Sequence, residues 1–283
     1  MSITMRFPNG LHKAFTMSYD DGVKQDVRLV EIMKRYGLKG TFNVNSGLFR
    51  AEDADPDSSN RLSEKEVRAL YVPNGQELAV HGLLHQGLLD LPIEQVTYEV
   101  IRDRANLEDM LGMPVRGMAY AYGHCNDTVV KALEACGIAY SRTTISSQKF
   151  AVPTNWLRLE ATCHHNNERL FELADEFLAY APRSSAYPAK LFYLWGHSYE
   201  FDWNLENNNW ERIEAFAEKI GGHDDVWYAT NIEIYDYVQA FGRLRFNLAQ
   251  TVVENPTDTD VWFQCSGGKR WVVRAGETLR FGE

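Results

Sequence analysis

LHKAFTMSYDDG, residues 11–22, runs mixed apolar and small residues into a tight turn at Asp20-Asp21-Gly22. It reads as a strand. Beyond the turn, residues 24–36 bring Val27, Val30, Ile32 and Met33 near one stripe and stop at Gly37, which is a helical pattern with a glycine exit. GTFNVNSGLF, residues 40–49, supplies a second strand. Strand, helix, strand in that order is a βαβ unit, and it sets the class of the fold.

The alternation continues outward. An acidic, turn-rich loop fills 51–62, and Ser63 with Glu66 fits a capping box that opens a short helix. A short strand over 75–80 leads directly to His81. Pro92 sits where a first helical turn tolerates it, ahead of an amphipathic helix to about 111. Strand-like runs follow at 115–122, 138–141, 190–195 and 226–229, and helical ones at 128–136, 168–178 and 210–220. This predicts an α/β architecture whose parallel sheet is closed or nearly closed into a barrel over residues 1–242. The tail changes character. Residues 243–283 carry short alternating strands split by Asn-Pro, Ser-Gly-Gly and Ala-Gly-Glu, a small C-terminal β extension.

Composition excludes several classes. The 283 residues are 45% apolar and 24% charged, unlike disordered, collagen-like or disulfide-scaffold chains. A net charge of −10, with no Lys/Arg cluster, argues against nucleic-acid and anionic-membrane partners. No apolar run reaches the ~18 residues of a membrane span. The start, MSITMRFPNG, lacks the basic stretch and apolar core of a secretion signal, so a cytoplasmic location is expected. Cys125, Cys136, Cys163 and Cys265 are scattered without a CxxC pair and read as free thiols.

In a barrel the chemistry gathers where strands end, which singles out Asp20, Asp21, His81, Tyr122, Arg142 and His197. His81 and His85 are spaced to share a face of a helical turn and reach one cation; two His four apart also arise by chance. Asp20-Asp21 is either a turn and helix cap or a carboxylate pair whose repulsion a cation relieves. Two imidazoles and a carboxylate around an open position make a hydrolytic metal set.

FTMSYDDG (15–22), ELAVHGLLH (77–85), RGMAYAYG (116–123) and YLWGHS (193–198) resemble, in order and type, the motifs of the polysaccharide deacetylase family, the NodB-homology or carbohydrate esterase family 4 type. The resemblance covers roughly residues 11–240 and implies a distorted barrel of the (β/α)7 type. It implies Asp20 as general base, and Asp21, His81 and His85 as ligands of a divalent metal. Tyr122 would offer its backbone N–H to the oxyanion, and His197 would be the general acid. Zinc is the first choice for such ligands, with cobalt, manganese and iron also accommodated.

Two departures stand out. The family arginine of the third motif falls at Ala119, and Arg142 is either its replacement or a surface ion-pair residue. The family's Asp-Trp motif, whose Asp orients the acid histidine, has no counterpart; Glu200, Asp202 and Asp236 are the candidates. Cys163-His164-His165-Asn166-Asn167 reads as a second metal or substrate-contacting loop, or as a solvated one. His12, His124 and His223 are expected to be structural or exposed, although His124 follows the third motif and can line a pocket.

The resulting expectation is a metal-dependent hydrolase of amide carbon–nitrogen bonds, in the first place an N-deacetylase of a sugar or related small substrate. A hydrolase of cyclic amides such as ureides and a non-catalytic carbohydrate-binding descendant remain as alternatives. The partner is a small-molecule or oligosaccharide substrate. A homo-oligomer is allowed.

Overall fold

The computed structural model describes residues 3–281 other than 183, 185, 186 and 267. Its first ten strands are β1 Ile3–Arg6, β2 Lys13–Asp20, β3 Gly40–Val44, β4 Glu77–Val80, β5 Gly117–Ala119, β6 Tyr140–Ser146, β7 Leu159–Ala161, β8 Cys163–His164, β9 Lys190–Gly196 and β10 Val226–Tyr228. The tail adds β11 Arg245–Phe246, β12 Val252–Glu254, β13 Val261–Cys265, β14 Arg270–Val273 and β15 Thr278–Arg280. The helices are α1 Asp26–Arg35, α2 Glu64–Tyr71, α3 Ile93–Leu111, α4 Asp127–Ala135, α5 Leu170–Leu178, α6 Trp210–Ile220 and α7 Asn231–Gly242.

All eight residues of β2 are buried, as a strand covered on both faces requires. It pairs in parallel with β3 on one side and β9 on the other, and β10 joins its first residues. The parallel order is β7-β6-β5-β4-β3-β2-β9-β8. Only Thr162 separates β7 from β8 in the chain, so residues 159–164 serve β6 with their first part and β9 with their second. The sheet is curled toward a barrel in this way, and among the described residues no uninterrupted ladder closes it. Leu29, Val30, Ile32 and Met33 of α1 pack into the main core. Gly40 is a glycine for want of space: a Cβ there would lie 2.7 Å from the Met17 carbonyl oxygen on β2.

The capping box of α2 forms as expected, with Ser63 and Glu66 bonding each other's backbone. Two strands differ in length from the sequence reading. β5 stops at Ala119 because the chain turns over Tyr120–Gly123, with Tyr122 left-handed at φ 60°. β6 runs on to Ser146 because β7 offers it a second partner.

In the tail, β13 pairs antiparallel with β1 from the start of the chain and with β14, while β11, β12 and β15 form a second small sheet. Val253, Val261, Phe263, Val273 and Phe281 make its core. The Tyr237 hydroxyl of α7 donates to the Arg6 carbonyl and accepts from the Trp262 N–H, tying the two parts together. Among the described residues no helix is long and apolar enough to cross a membrane.

Candidate active site

The C-terminal ends of the parallel strands deliver the site. Asp20 is the last residue of β2, His81 follows β4, Arg142 lies on β6, and His197 follows β9. Register does the assembling: Asp20 pairs with Asn43 on β3, and Ala119 on β5 with Arg142. Asp21, His85 and Tyr122 hold left-handed backbone, at φ 87°, 56° and 60°. For residues other than glycine each such conformation costs of order 1–3 kcal/mol, and strain of this kind gathers at functional sites.

Asp20 is almost fully buried and ringed by donors. Asn43 Nδ2 donates to its Oδ1 at 2.8 Å, and Arg142 donates to Oδ2. His81 Nε2 and His197 Nε2 approach Oδ2 at 3.8 and 3.7 Å from either side. Burial alone would raise the Asp20 pKa; Arg142, then His81 and His197, outweigh it and hold the carboxyl down to about 2. Arg142 is itself wholly buried, with its guanidinium 4.4 Å from the centre of the Trp195 ring, so it is no surface ion-pair residue.

Asp21, His81 and His85 each turn a donor atom toward a common point, all within 4.8 Å of one another. His81 Nδ1 donates to the Ala119 carbonyl at 2.9 Å, which leaves the Nε2 lone pair free. The His81 backbone N–H is anchored by Asp103, and Asn45 bonds the carbonyls of His81 and Gly82. Asp21 Oδ1 lies 2.9 Å from Arg61 Nη2, yet off the N–H direction, and as a buried atom it accepts no hydrogen bond. An orphaned carboxylate oxygen facing two imidazoles fits a divalent cation of the zinc type.

His197 has a carboxylate partner three residues on. The 3-10 turn Ser198–Trp203 brings Glu200 Oε1 to 2.9 Å from His197 Nδ1. Of the other candidates, Asp202 accepts from Gln25 and the Trp210 indole, and Asp236 pairs with Arg116. Burial pushes Glu200 up, but His165, 3.0 Å away, and the hydrogen bond from His197 hold it well below the usual carboxylate range. Burial opposes a charge on His197 too; Glu200, then Asp20, outweigh it and raise the imidazole above its ordinary value.

Cys163-His164-His165 is no solvated loop. His165 is buried, accepts or donates at Tyr19 OH through Nδ1 (3.2 Å), and meets Glu200 Oε2 through Nε2 at 3.0 Å. Asn43, Asp26 and Glu200 carry much of the site's order, and residue-type reading missed the first two. Asp26 takes hydrogen bonds from Ser198, Tyr71 and the Val23 N–H, pinning the turn after His197 to the start of α1. Only its position at a helix start signalled it.

The Tyr122 ring lies edge-on to His85, with centroids 4.8 Å apart. From Gly123 a cleft of about 660 Å³ opens past His124, Thr143, Lys149, Arg158 and Glu160. His124 therefore lines a pocket. His12 contacts Arg270, and His223 bonds the Lys219 carbonyl at the end of α6, both away from the site.

The profile of the polysaccharide deacetylase family matches residues 8–141, which contain the Asp-Asp turn, the histidine pair and Arg116–Gly123. Over that stretch the chain is similar to the polysaccharide deacetylase family. Among solved structures, a Mycobacterium smegmatis protein assigned to the polysaccharide deacetylases is 17% identical with a TM-score of 0.59, covering 85% of this chain and 95% of that one. A mutant of BA3943, a pseudoenzyme of carbohydrate esterase family 4 with restored activity, is 15% identical at a TM-score of 0.51, with 82% and 70% covered. The Streptococcus pyogenes deacetylase PplD in complex with acetate is 22% identical at 0.46, covering 50% of this chain and 61% of PplD, so the match spans about three fifths of that protein. At these identities the likeness is one of fold. No curated protein matches the sequence significantly. A deacetylase fold with a smaller β tail is thus the frame in which the site sits.

Proposed function

We propose that this protein is a divalent-metal-dependent hydrolase that removes acetyl groups from an N-acetylated carbohydrate. The observation that carries the reading is the placement of Asp20 between His81 and His197, at 3.8 and 3.7 Å, beside the orphaned Asp21 Oδ1. Similarity of residues 8–141 to the polysaccharide deacetylase family supports the acetyl group and the sugar.

A cation held by Asp21, His81 and His85 would polarise the acetyl carbonyl and lower the pKa of water beside it. The residues of the chain supply the rest. Asp20, kept ionised by Arg142 and Asn43, takes a proton from the attacking water. The backbone N–H of Tyr122, in the left-handed turn after β5, would donate to the oxygen on which negative charge develops. His197 Nε2, with its other nitrogen bonded to Glu200, gives its proton to the departing amine nitrogen. Acetate and a free amine leave, and the proton count returns when Asp20 releases what it took.

The test is acetate release from N-acetylglucosamine oligomers by zinc- or cobalt-loaded protein, with a cyclic ureide run beside them. Asp20→Asn should abolish turnover and keep metal, while Asp21→Ala should lose metal. Metal binding without hydrolysis of any substrate would overturn the reading in favour of a binding protein.

A further inference from the structure

We propose that His164, His197 and Glu200 form a second divalent-metal site, whose occupation shuts the enzyme off. Parallel pairing of β8 with β9 sets His164 opposite Trp195, so its ring stands beside the strand end from which His197 follows. Glu200 then meets each imidazole with a different oxygen: Oε1 lies 2.9 Å from His197 Nδ1, and Oε2 lies 3.4 Å from His164 Nε2. One donor atom from each residue lies within 4.8 Å of the others. Ligand atoms of a tetrahedral zinc ion stand about 3.3–3.6 Å apart, given bonds of about 2.0–2.2 Å. The His164 separation of 3.4 Å already has that spacing, while the 2.9 Å of His197, made to the other carboxylate oxygen, has to open as an ion enters.

The surroundings suit an ion. The side chains keep 14%, 21% and 10% of their surface exposed for His164, His197 and Glu200, so solvent can deliver one. Behind them, His165 Nε2 at 3.0 Å and Asn208 Nδ2 at 3.2 Å hold the Glu200 carboxylate in orientation, as outer partners do around bound metals. Burial, with His165 beside it, keeps His164 neutral, the form that ligates.

Loading has a definite cost. The ion takes the place of the proton between His197 Nδ1 and Glu200, and that proton is released. At His164 the ring proton moves to Nδ1, which gives up a long 3.3 Å contact from the Asn166 backbone N–H. The Asp21–His81–His85 set bears neither cost and fills first. Inhibition follows because a His197 ring with a cation on Nδ1 is no longer an imidazolium: its remaining Nε2 proton could leave only by forming an imidazolate, so it is a far weaker acid; this consequence rests on the acid role proposed above, whereas the site itself does not.

Zinc titration of the metal-free protein, read as bound zinc per chain after dialysis, decides the matter whether or not the protein hydrolyses anything. The wild type should take two ions per chain, and His164→Ala or His164→Gln one. The double variant Asp21→Ala with His85→Ala should keep one, lost when His164→Ala is added. A wild type that binds a single ion, or a folded His164 variant that still binds two, overturns the site. Acetate release should peak at one equivalent of zinc and fall by about 10²-fold as the second binds. The His164 variants should keep the peak value without the fall. A fall of equal size in those variants overturns the inhibitory role.

Discussion

Arg142, on β6, reaches across the strand ends to the carboxylate of Asp20 on β2, and neither side chain is exposed by more than 3%. No pair of residues adjacent in sequence could make this contact. A guanidinium wholly out of water is tolerable only with such a partner and a flat apolar face, here the Trp195 ring. The pair makes the position of the Asp20 carboxylate a property of the sheet rather than of the Asp-Asp turn.

Arg142→Ala should therefore strike twice. Leaving Asp20 buried without its cation costs stability on the order of 3–5 kcal/mol. Letting the carboxylate drift by an ångström costs turnover of about 10²-fold. Metal content should be unchanged, because Arg142 touches none of Asp21, His81 and His85. Arg142→Lys, a single-point donor, should recover stability more than turnover. Full activity in a folded Arg142→Ala protein would remove Arg142 from the machinery.

The second prediction concerns Glu200. Its hydrogen bond, backed by its charge, is the leading reason His197 is raised above the ordinary imidazole range against the pull of burial. Glu200→Gln removes that charge and lowers the His197 pKa. The active form carries the proton, so activity falls on the alkaline side, and that limb of the rate profile should move to lower pH. The acid limb should stay. A shift in the opposite direction would contradict the assignment of His197 as acid.

The sequence made the βαβ start and the α2 capping box legible, since each lies within a short window whose spacing has one geometric meaning; His81 and His85 do come together, though not on the helical turn their spacing suggested, because Gly82 and His85 take left-handed backbone, and Asp21 joins them only through the sheet. Arg142 was legible as a cation at a strand end, although its burial was not. Asn43 and Asp26 escaped because their value comes from register: Asn43 faces Asp20 only once β3 pairs with β2, and Asp26 meets Ser198 only through the fold. The pairing of β1 with β13 joins opposite ends of the chain, which no local pattern encodes.

At the other end of the barrel, Glu77 begins β4 and accepts hydrogen bonds from Tyr140, Thr41 and the Ile232 N–H. Burial wins over these and pushes its pKa up to about 7. A carboxyl raised in the folded state stabilises the fold fully below its unfolded value near 4.5, and that contribution is lost as pH rises toward 7. Wild type measured against Glu77→Gln by urea unfolding should thus lose relative stability between about pH 4.5 and pH 7. A constant difference across that window would show Glu77 to be ionised throughout.

Gly196, the last residue of β9, gives the sharpest packing test. A Cβ built there would lie 2.0 Å from His165 Nδ1, because the His165 ring stands directly against the backbone that leads into His197. Tyr19, stacked on one side at 5.7 Å, and Phe201 at 4.4 Å leave that ring no room to withdraw. Gly196→Ala should cost about 1–3 kcal/mol in thermal or urea unfolding, in line with overpacking elsewhere. It should also lower turnover, since the displaced ring releases Glu200 and with it His197. In a His165→Ala background the overlap vanishes, so the same glycine change should cost only a few tenths of a kcal/mol, a coupling that a double-mutant cycle reads directly. If Gly196→Ala cost as much there as in the wild type, the His165 ring would not be what demands a glycine at this strand end.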